Sequence, residues 1–170
     1  EAYINFAKQK TFIPELMEYP NLVILQTLSK AWGLAGLRLG MAFAGQPIIN
    51  YFNKVKYPYN INTATQQLAM EALGNILSIN NWTKTTAEQK DWLSEELGKI
   101  NSTKIVYPSD ANFILVKMDN AKKVYEFLTT KGIIVRDRSK VILCDDCIRI
   151  TIGTPEENKK LVLALNDYSK

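Results

Sequence analysis

Apolar side chains follow one another from Asn21 to Thr27 (NLVILQT), just after a Tyr-Pro-Asn turn. An unbroken run of this length predicts a strand covered on both faces. A second strand candidate spans Leu37–Ala44 and is closed by Gly45. From Gln46 to Lys56 the pattern changes: Ile48, Ile49, Phe52 and Val55 recur at helical spacing, and Pro47 fits a first helical turn. Tyr57–Asn62, with Pro58, interrupts it. From Thr63 the positions Thr65, Leu68, Ala69, Ala72, Leu73 and Ile76 again follow the 3.6-residue period.

A long amphipathic helix is predicted from Trp82 or Thr83 to about Ile100, with Trp92, Leu93 and Leu97 on one face. Beyond it the pattern is shorter and alternating. Strands are expected at Lys104–Tyr107, Ala111–Lys117, Ile133–Arg136 and Cys147–Ile152, with a helix at Asn120–Lys131 ending at Gly132. A closing helix runs to Tyr168, with Thr154 as N-cap, Pro155 at the first position and acidic residues in the first turn. The expected organisation is α/β, with one domain over 1–80, a linking helix over 81–102 and a small α+β domain over 103–170.

Composition narrows the chemistry. At 46% hydrophobic residues the chain is globular in character. No apolar run approaches the ~20 residues of a membrane span, and no basic segment precedes an apolar one as in a secretion signal, so a cytoplasmic location is expected. Twenty-one cationic residues against 17 acidic ones leave a mild net charge of +4. This suits an anionic small molecule and is too scattered for nucleic acid. The absence of histidine removes Ser/His/Asp and Cys/His catalysis and histidine-based metal sites. Acid–base chemistry then falls to lysine, carboxylate, tyrosine or cysteine. Cys144 and Cys147 form a Cys-x-x-Cys ahead of a strand, which is the wrong context for a thioredoxin motif, and further zinc ligands are missing. They are read as a reduced pair in a loop, and no metal is expected. The chain opens on Glu1 rather than methionine, and EAYINF reads as the middle of a longer protein.

Two permanent charges, Lys30 and Arg38, interrupt the otherwise apolar, small or neutral stretch QTLSKAWGLAGLRLGMAFAG. A lysine buried without a counter-charge tends to lose its proton, and a neutral amine attacks aldehydes. The rival reading is a lysine at a strand end that reaches water. Its neighbours change the balance: Ser29 offers a hydroxyl and Arg38 a forked guanidinium, a donor set for phosphate, and Gly33, Gly36 and Gly40 allow sharp turns or close backbone approach. An amine for an aldehyde beside donors for a phosphate describes a site for pyridoxal phosphate.

TLSKAWGLAGLRLG is similar to the cofactor-lysine segment of the fold-type I pyridoxal-phosphate-dependent aminotransferases. EAYINF, PYNIN, ANFILVK, KGIIVRD and CIRITIGTPEEN agree with that family in order, most closely with its histidinol-phosphate branch. The resemblance implies the C-terminal portion of such an enzyme: the end of the large-domain sheet, the long linking helix and the small C-terminal domain. It also implies that Lys30 forms the Schiff base with the cofactor, with Ser29 and Arg38 on the phosphate and Thr27 its neighbour. Tyr3 would bond the cofactor's phenolic oxygen. Arg149 would grip the substrate's anionic group, and Arg136 a substrate phosphate. The rival readings are an ion pair of Arg136 with Asp137 and a solvated face for Arg149.

The family's aspartate for the pyridine nitrogen should stand just before Glu1, and its ring-stacking aromatic residue further upstream, so the chain is expected to hold part of a site and to be inactive alone. The implied reaction is transamination of a phosphorylated amine, L-histidinol phosphate, with 2-oxoglutarate or glutamate as co-substrate, in a homodimer. An aromatic-amino-acid aminotransferase, a threonine-phosphate decarboxylase and a non-catalytic module remain as alternatives. Apolar surface is expected near Leu22–Leu25 and Met41–Ala44, where a larger sheet would continue.

Overall fold

A computed structural model describes residues 1–169 of the chain. Two compact units are present, one over Glu1–Thr83 and a second from Lys84 onward. In the first, two 3₁₀ turns (Ile4–Phe6 and Ile13–Met17) precede strand β1 (Val23–Thr27), which pairs antiparallel with β2 (Gly40–Ala44). The register runs from Val23 opposite Ala44 to Thr27 opposite Gly40. Helices α1 (Gln46–Val55) and α2 (Thr63–Leu73) follow, and Asn62 caps α2 by accepting from the Thr65 N–H at 2.8 Å.

Three expectations for this unit change. Strand β1 is covered on one face only: Ile24 is 4% exposed, while Val23 and Leu25 are 37% and 61% exposed. Its one strand neighbour among the described residues is β2, and a two-stranded ribbon turns one face outward. The uncovered positions, together with Met41, fall where apolar surface was expected. The second strand begins at Gly40 rather than Leu37, because Ala35–Leu37 form a 3₁₀ turn that ends on Arg38 in the left-handed conformation. The periodic run through Ile76 is two helices. α2 stops at Leu73, the Gly74–Asn75 amides bond back to Glu71 and Ala72, and α3 (Ile76–Gly98) starts anew with Asn75 accepting from the Ser78 and Ile79 amides. Glycine weakens helix continuity by about 1 kcal/mol relative to alanine, which favours a break there.

The second unit is a four-stranded antiparallel sheet of order β3-β4-β6-β5. Its strands are β3 (Thr103–Val106), β4 (Phe113–Met118), β5 (Arg136–Asp137) and β6 (Cys147–Thr151). Alternation in β4 sends Ile114, Val116 and Met118 inward beside Ile148 and Ile150 of β6. Leu93 and Leu97 of α3, Leu128 of α4 (Ala121–Thr130) and Leu161 and Leu165 of α5 (Pro155–Tyr168) complete this core. α5 begins with a capping box: the Glu157 N–H donates to Thr154 Oγ1 at 3.3 Å, and the Thr154 N–H donates to Glu157 Oε2 at 2.8 Å.

β5 is shorter than the predicted strand. α4 ends in a Schellman arrangement in which Gly132 takes φ +71° and the Gly132 and Ile133 amides donate to Thr129 and Leu128. The Ile133 amide is thereby used by the helix end, and ladder pairing starts only at Arg136.

Ile114 is fully enclosed. Ile114→Ala should cost about 2–5 kcal/mol of the stability of the second unit. Denaturant unfolding followed by circular dichroism measures it; a loss below about 1 kcal/mol would contradict the packing described.

Candidate active site

At the end of β1 the chain turns through Leu28-Ser29-Lys30. Leu28 and Ala31 are buried, 2% and 9% exposed, and the Leu28 amide bonds the Leu39 carbonyl at 3.3 Å. With its apolar members turned inward, the segment presents Ser29 and Lys30 outward. The Ser29 N–H donates to Thr27 Oγ1 at 3.1 Å, and the Thr27 hydroxyl donates to Ser29 Oγ at 2.9 Å. Gly33 takes φ +67° where the turn reverses, and its amide bonds the Lys30 carbonyl. A Cβ at Gly40 would lie 3.2 Å from the Gln26 carbonyl oxygen, so the ribbon needs glycine there; a Cβ at Gly36 would meet nothing, so Gly36 has no steric reason.

Lys30 is exposed in the structure and not buried as a reactive amine was expected to be. Its Nζ lies 5.3 Å from the centre of the Tyr3 ring, which brings together two of the residues singled out in the sequence. Tyr3 itself packs on the small cluster of Phe6, Ala31 and Ile79.

Arg38 has φ +54°, a conformation that costs a non-glycine residue about 1–3 kcal/mol. One nitrogen, Nη1, donates to the Ala35 carbonyl at 2.9 Å, orienting the fork while leaving its other N–H groups available. Beside it lies a cavity of about 130 Å³ lined by Gly36, Arg38, Asn60, Asn62 and Thr65, the last two being the N-cap and a first-turn residue of α2. A guanidinium beside the N-terminus of an 11-residue helix favours an anion.

Glu1 carries none of the expected site roles, but its carboxylate ties this unit together. It accepts from the Thr11 hydroxyl at 2.7 Å, the Phe12 N–H at 2.9 Å and the Gln26 side-chain amide at 2.9 Å. Partners ten, eleven and 25 residues away leave no local pattern to read. Burial pushes the Glu1 carboxyl up, but the bonds from Phe12, Gln26 and Thr11 outweigh it and hold it below the ordinary carboxylate value.

In the second unit Arg136 of β5 stands directly opposite Arg149 of β6. Directly opposed residues have Cβ atoms about 5 Å apart, and like charges so placed repel. Arg149 is half-buried, its guanidinium carbon lies 5.1 Å from the centre of the Phe113 ring, and its Nε is buried with no hydrogen-bond partner among the described residues. Cys147, two residues before it on the same face, is 1% exposed, so this is not a plainly solvated face. Asp137 lies in register with Ile148 on the other face, and its Oδ1 accepts from the Ser139 hydroxyl at 2.6 Å and the Ser139 N–H at 2.8 Å. Those two bonds hold Asp137 below the usual carboxylate range.

The sequence model of the family described as aminotransferase class I and II matches residues 1–165. The chain belongs to the aminotransferase class I and II family. It is 53% identical to the histidinol-phosphate aminotransferase of Cytophaga hutchinsonii over 99% of its own length and 48% of that protein. Among solved structures, the histidinol-phosphate aminotransferase of Clostridium acetobutylicum is similar at a TM-score of 0.89 and 26% identity, over 99% of this chain and 53% of that one. That of Sinorhizobium meliloti, in complex with pyridoxal-5′-phosphate, is similar at 0.82 and 25% identity, over 98% and 46%. The chain thus spans about half the length of the aminotransferases it matches, and its fold is the corresponding portion of a fold-type I enzyme. Class I and II aminotransferases depend on pyridoxal phosphate, and the residues present fit that group: an exposed amine on Lys30, hydroxyls on Thr27 and Ser29, and the guanidinium of Arg38 beside a helix N-terminus.

Because the folded-state value of Glu1 is depressed, its stabilisation is complete above about pH 4.5 and is lost as pH falls through the lower folded value. Acid titration of thermal stability should show the first unit weakening below pH 4.5. Glu1→Gln should be less stable than the parent at pH 7 and should lose less on acidification. Equal acid sensitivity of the two would contradict the role given to this carboxylate.

Proposed function

We propose that the protein carrying this chain transaminates L-histidinol phosphate with 2-oxoglutarate, as a pyridoxal-phosphate-dependent enzyme of histidine biosynthesis. The observation that carries the phosphorylated substrate is the opposition of Arg136 and Arg149, with the Arg149 Nε buried and unpartnered. Like charges at directly opposed strand positions repel, and a buried donor without an acceptor costs about 1–3 kcal/mol. A dianionic phosphate held by both forks relieves both penalties. Histidinol phosphate bears a CH2-O-phosphate where an amino acid bears its carboxylate, so the same Arg149 serves either co-substrate.

In this reading Lys30 attaches the cofactor through its amine, and Thr27, Ser29 and Arg38 hold the cofactor's phosphate. Tyr3 would bond the cofactor's phenolic oxygen. When bound, the cofactor supplies the aldehyde and the electron-withdrawing ring that make the substrate's Cα proton removable. With the cofactor bound, the Lys30 amine would be the general base that accepts the substrate's Cα proton. Residues 1–80 form part of the cofactor-binding large domain, 81–102 the linking helix and 103–170 the small domain. The working enzyme is a cytoplasmic homodimer, and this stretch alone is inactive, because the ring-nitrogen and ring-stacking partners come from the rest of the protein.

The full-length protein, supplied with pyridoxal phosphate and a panel of amino donors, should turn over histidinol phosphate in preference to its dephosphorylated analogue. Arg136→Ala should lower kcat/KM for the phosphorylated donor by about 10–150-fold, the range for losing a charged hydrogen bond, with little effect on glutamate. Lys30→Ala should abolish both turnover and the lysine-dependent absorbance of bound cofactor. Equal use of the phosphorylated and dephosphorylated donors would overturn the substrate assignment, and retained absorbance in Lys30→Ala the role of that lysine.

A further inference from the structure

The Cys-x-x-Cys pair is not used by the proposed reaction, yet it is held in a defined geometry. The Cys147 N–H donates to the Cys144 carbonyl at 3.0 Å, closing a four-residue turn. Such a turn brings its first and fourth Cα atoms within about 7 Å, and a disulfide spans about 4.4–6.8 Å. Bonds on both sides hold the turn in place. The Asp146 carbonyl accepts from the Met118 N–H at 2.9 Å, its Oδ1 from the Ala121 N–H at 3.3 Å, and the Cys147 carbonyl from the Arg138 N–H at 2.8 Å. Asp146 itself sits at φ +54°. The Cys147 thiol lies back over the turn, donating to the Asp145 carbonyl at 3.6 Å. Burial pushes the Cys147 thiol up, and Cys144 is near enough to raise it further. Cys144 is half-exposed beside Ile142 and Leu143, which are 87% and 91% exposed.

We propose that Cys144 and Cys147 are a reversible disulfide site, closed by exchange with a small disulfide of the oxidised-glutathione class. The accessible Cys144, as thiolate, attacks one sulfur of the oxidant, breaking its S–S bond and releasing one thiolate. Cys147, as thiolate, then attacks the Cys144 sulfur, forming the intramolecular bond and releasing the second. Two protein thiols are oxidised, one disulfide is reduced to two thiols, and the two protons given up by the cysteines end on the departing thiolates. Exposure makes Cys144 the point of entry, and the turn makes Cys147 the resolving partner.

Trypsin cuts after Lys140 and Arg149, so both cysteines fall in one peptide, 141–149. The native full-length protein should be incubated with oxidised glutathione, denatured, alkylated with iodoacetamide and digested. The expected peptide has lost two hydrogens and carries no alkyl group, and dithiothreitol treatment before alkylation restores both alkylation sites. Cys147→Ser should stop at a glutathione adduct on Cys144, and Cys144→Ser should stay unmodified because Cys147 is enclosed. A wild-type peptide that keeps two alkylatable thiols, or that stops at the glutathione adduct as Cys147→Ser does, overturns the proposal without reference to either variant.

Discussion

Strand β6 is the constraint on which the second unit depends. Its two inward positions, Ile148 and Ile150, are essentially inaccessible to water, flanked by β4 on one side and β5 on the other and covered by helices. Burying two such side chains is worth several kcal/mol, on the order of 1.5–3 each, and a one-residue slip would turn both outward. That penalty locks the register, and the register brings Arg149 to the opposite face against Arg136 and over Phe113. The hydrophobic core and the pair of arginines are therefore two faces of one decision. The same locked strand begins at Cys147, which explains how a turn of four residues comes to be anchored by amides from β4, α4 and the segment after β5.

The first unit uses a smaller version of the same logic. The β1–β2 ribbon has little core of its own, with Ile24 and Leu28 among its few enclosed residues. What it lacks in packing it gains in short polar ties: Glu1 onto Gln26 and Thr11, Thr27 onto Ser29, and Arg38 onto the Ala35 carbonyl. These bonds set the direction of the Ser29 and Arg38 side chains, both on short connecting segments outside the strands. Left-handed backbone at Arg38 is an expense without an apolar return, and it falls at a residue whose fork faces a cavity at a helix N-terminus.

Helix ends were legible residue by residue. Thr154, Pro155 and Glu157 spell out a capping box, and Gly132 a helix stop, because each acts within four residues of where it stands. The break at Gly74–Asn75 was missed because Leu73 and Ile76 keep the 3.6-residue period across it; hydrophobic spacing records which face is apolar and not whether the backbone ladder continues. The full coverage expected for β1 was wrong for a related reason. An apolar run states that side chains prefer burial, whereas what covers them depends on the strands and helices alongside.

The candidate site divides in the same way. The lysine beside a serine, the arginine eight residues on and the two later arginines were all evident as residue types, since each is a charge or hydroxyl out of keeping with its surroundings. Their chemistry as an amine and a set of anion donors follows from covalent structure alone, and the sequence by itself determined it. The facing of Arg136 and Arg149, the closeness of Lys30 to Tyr3 and the hold of Glu1 on Gln26 were decided only by tertiary structure. They link residues 13 to 27 positions apart through strand register and chain reversal, and no local propensity encodes a distance between segments.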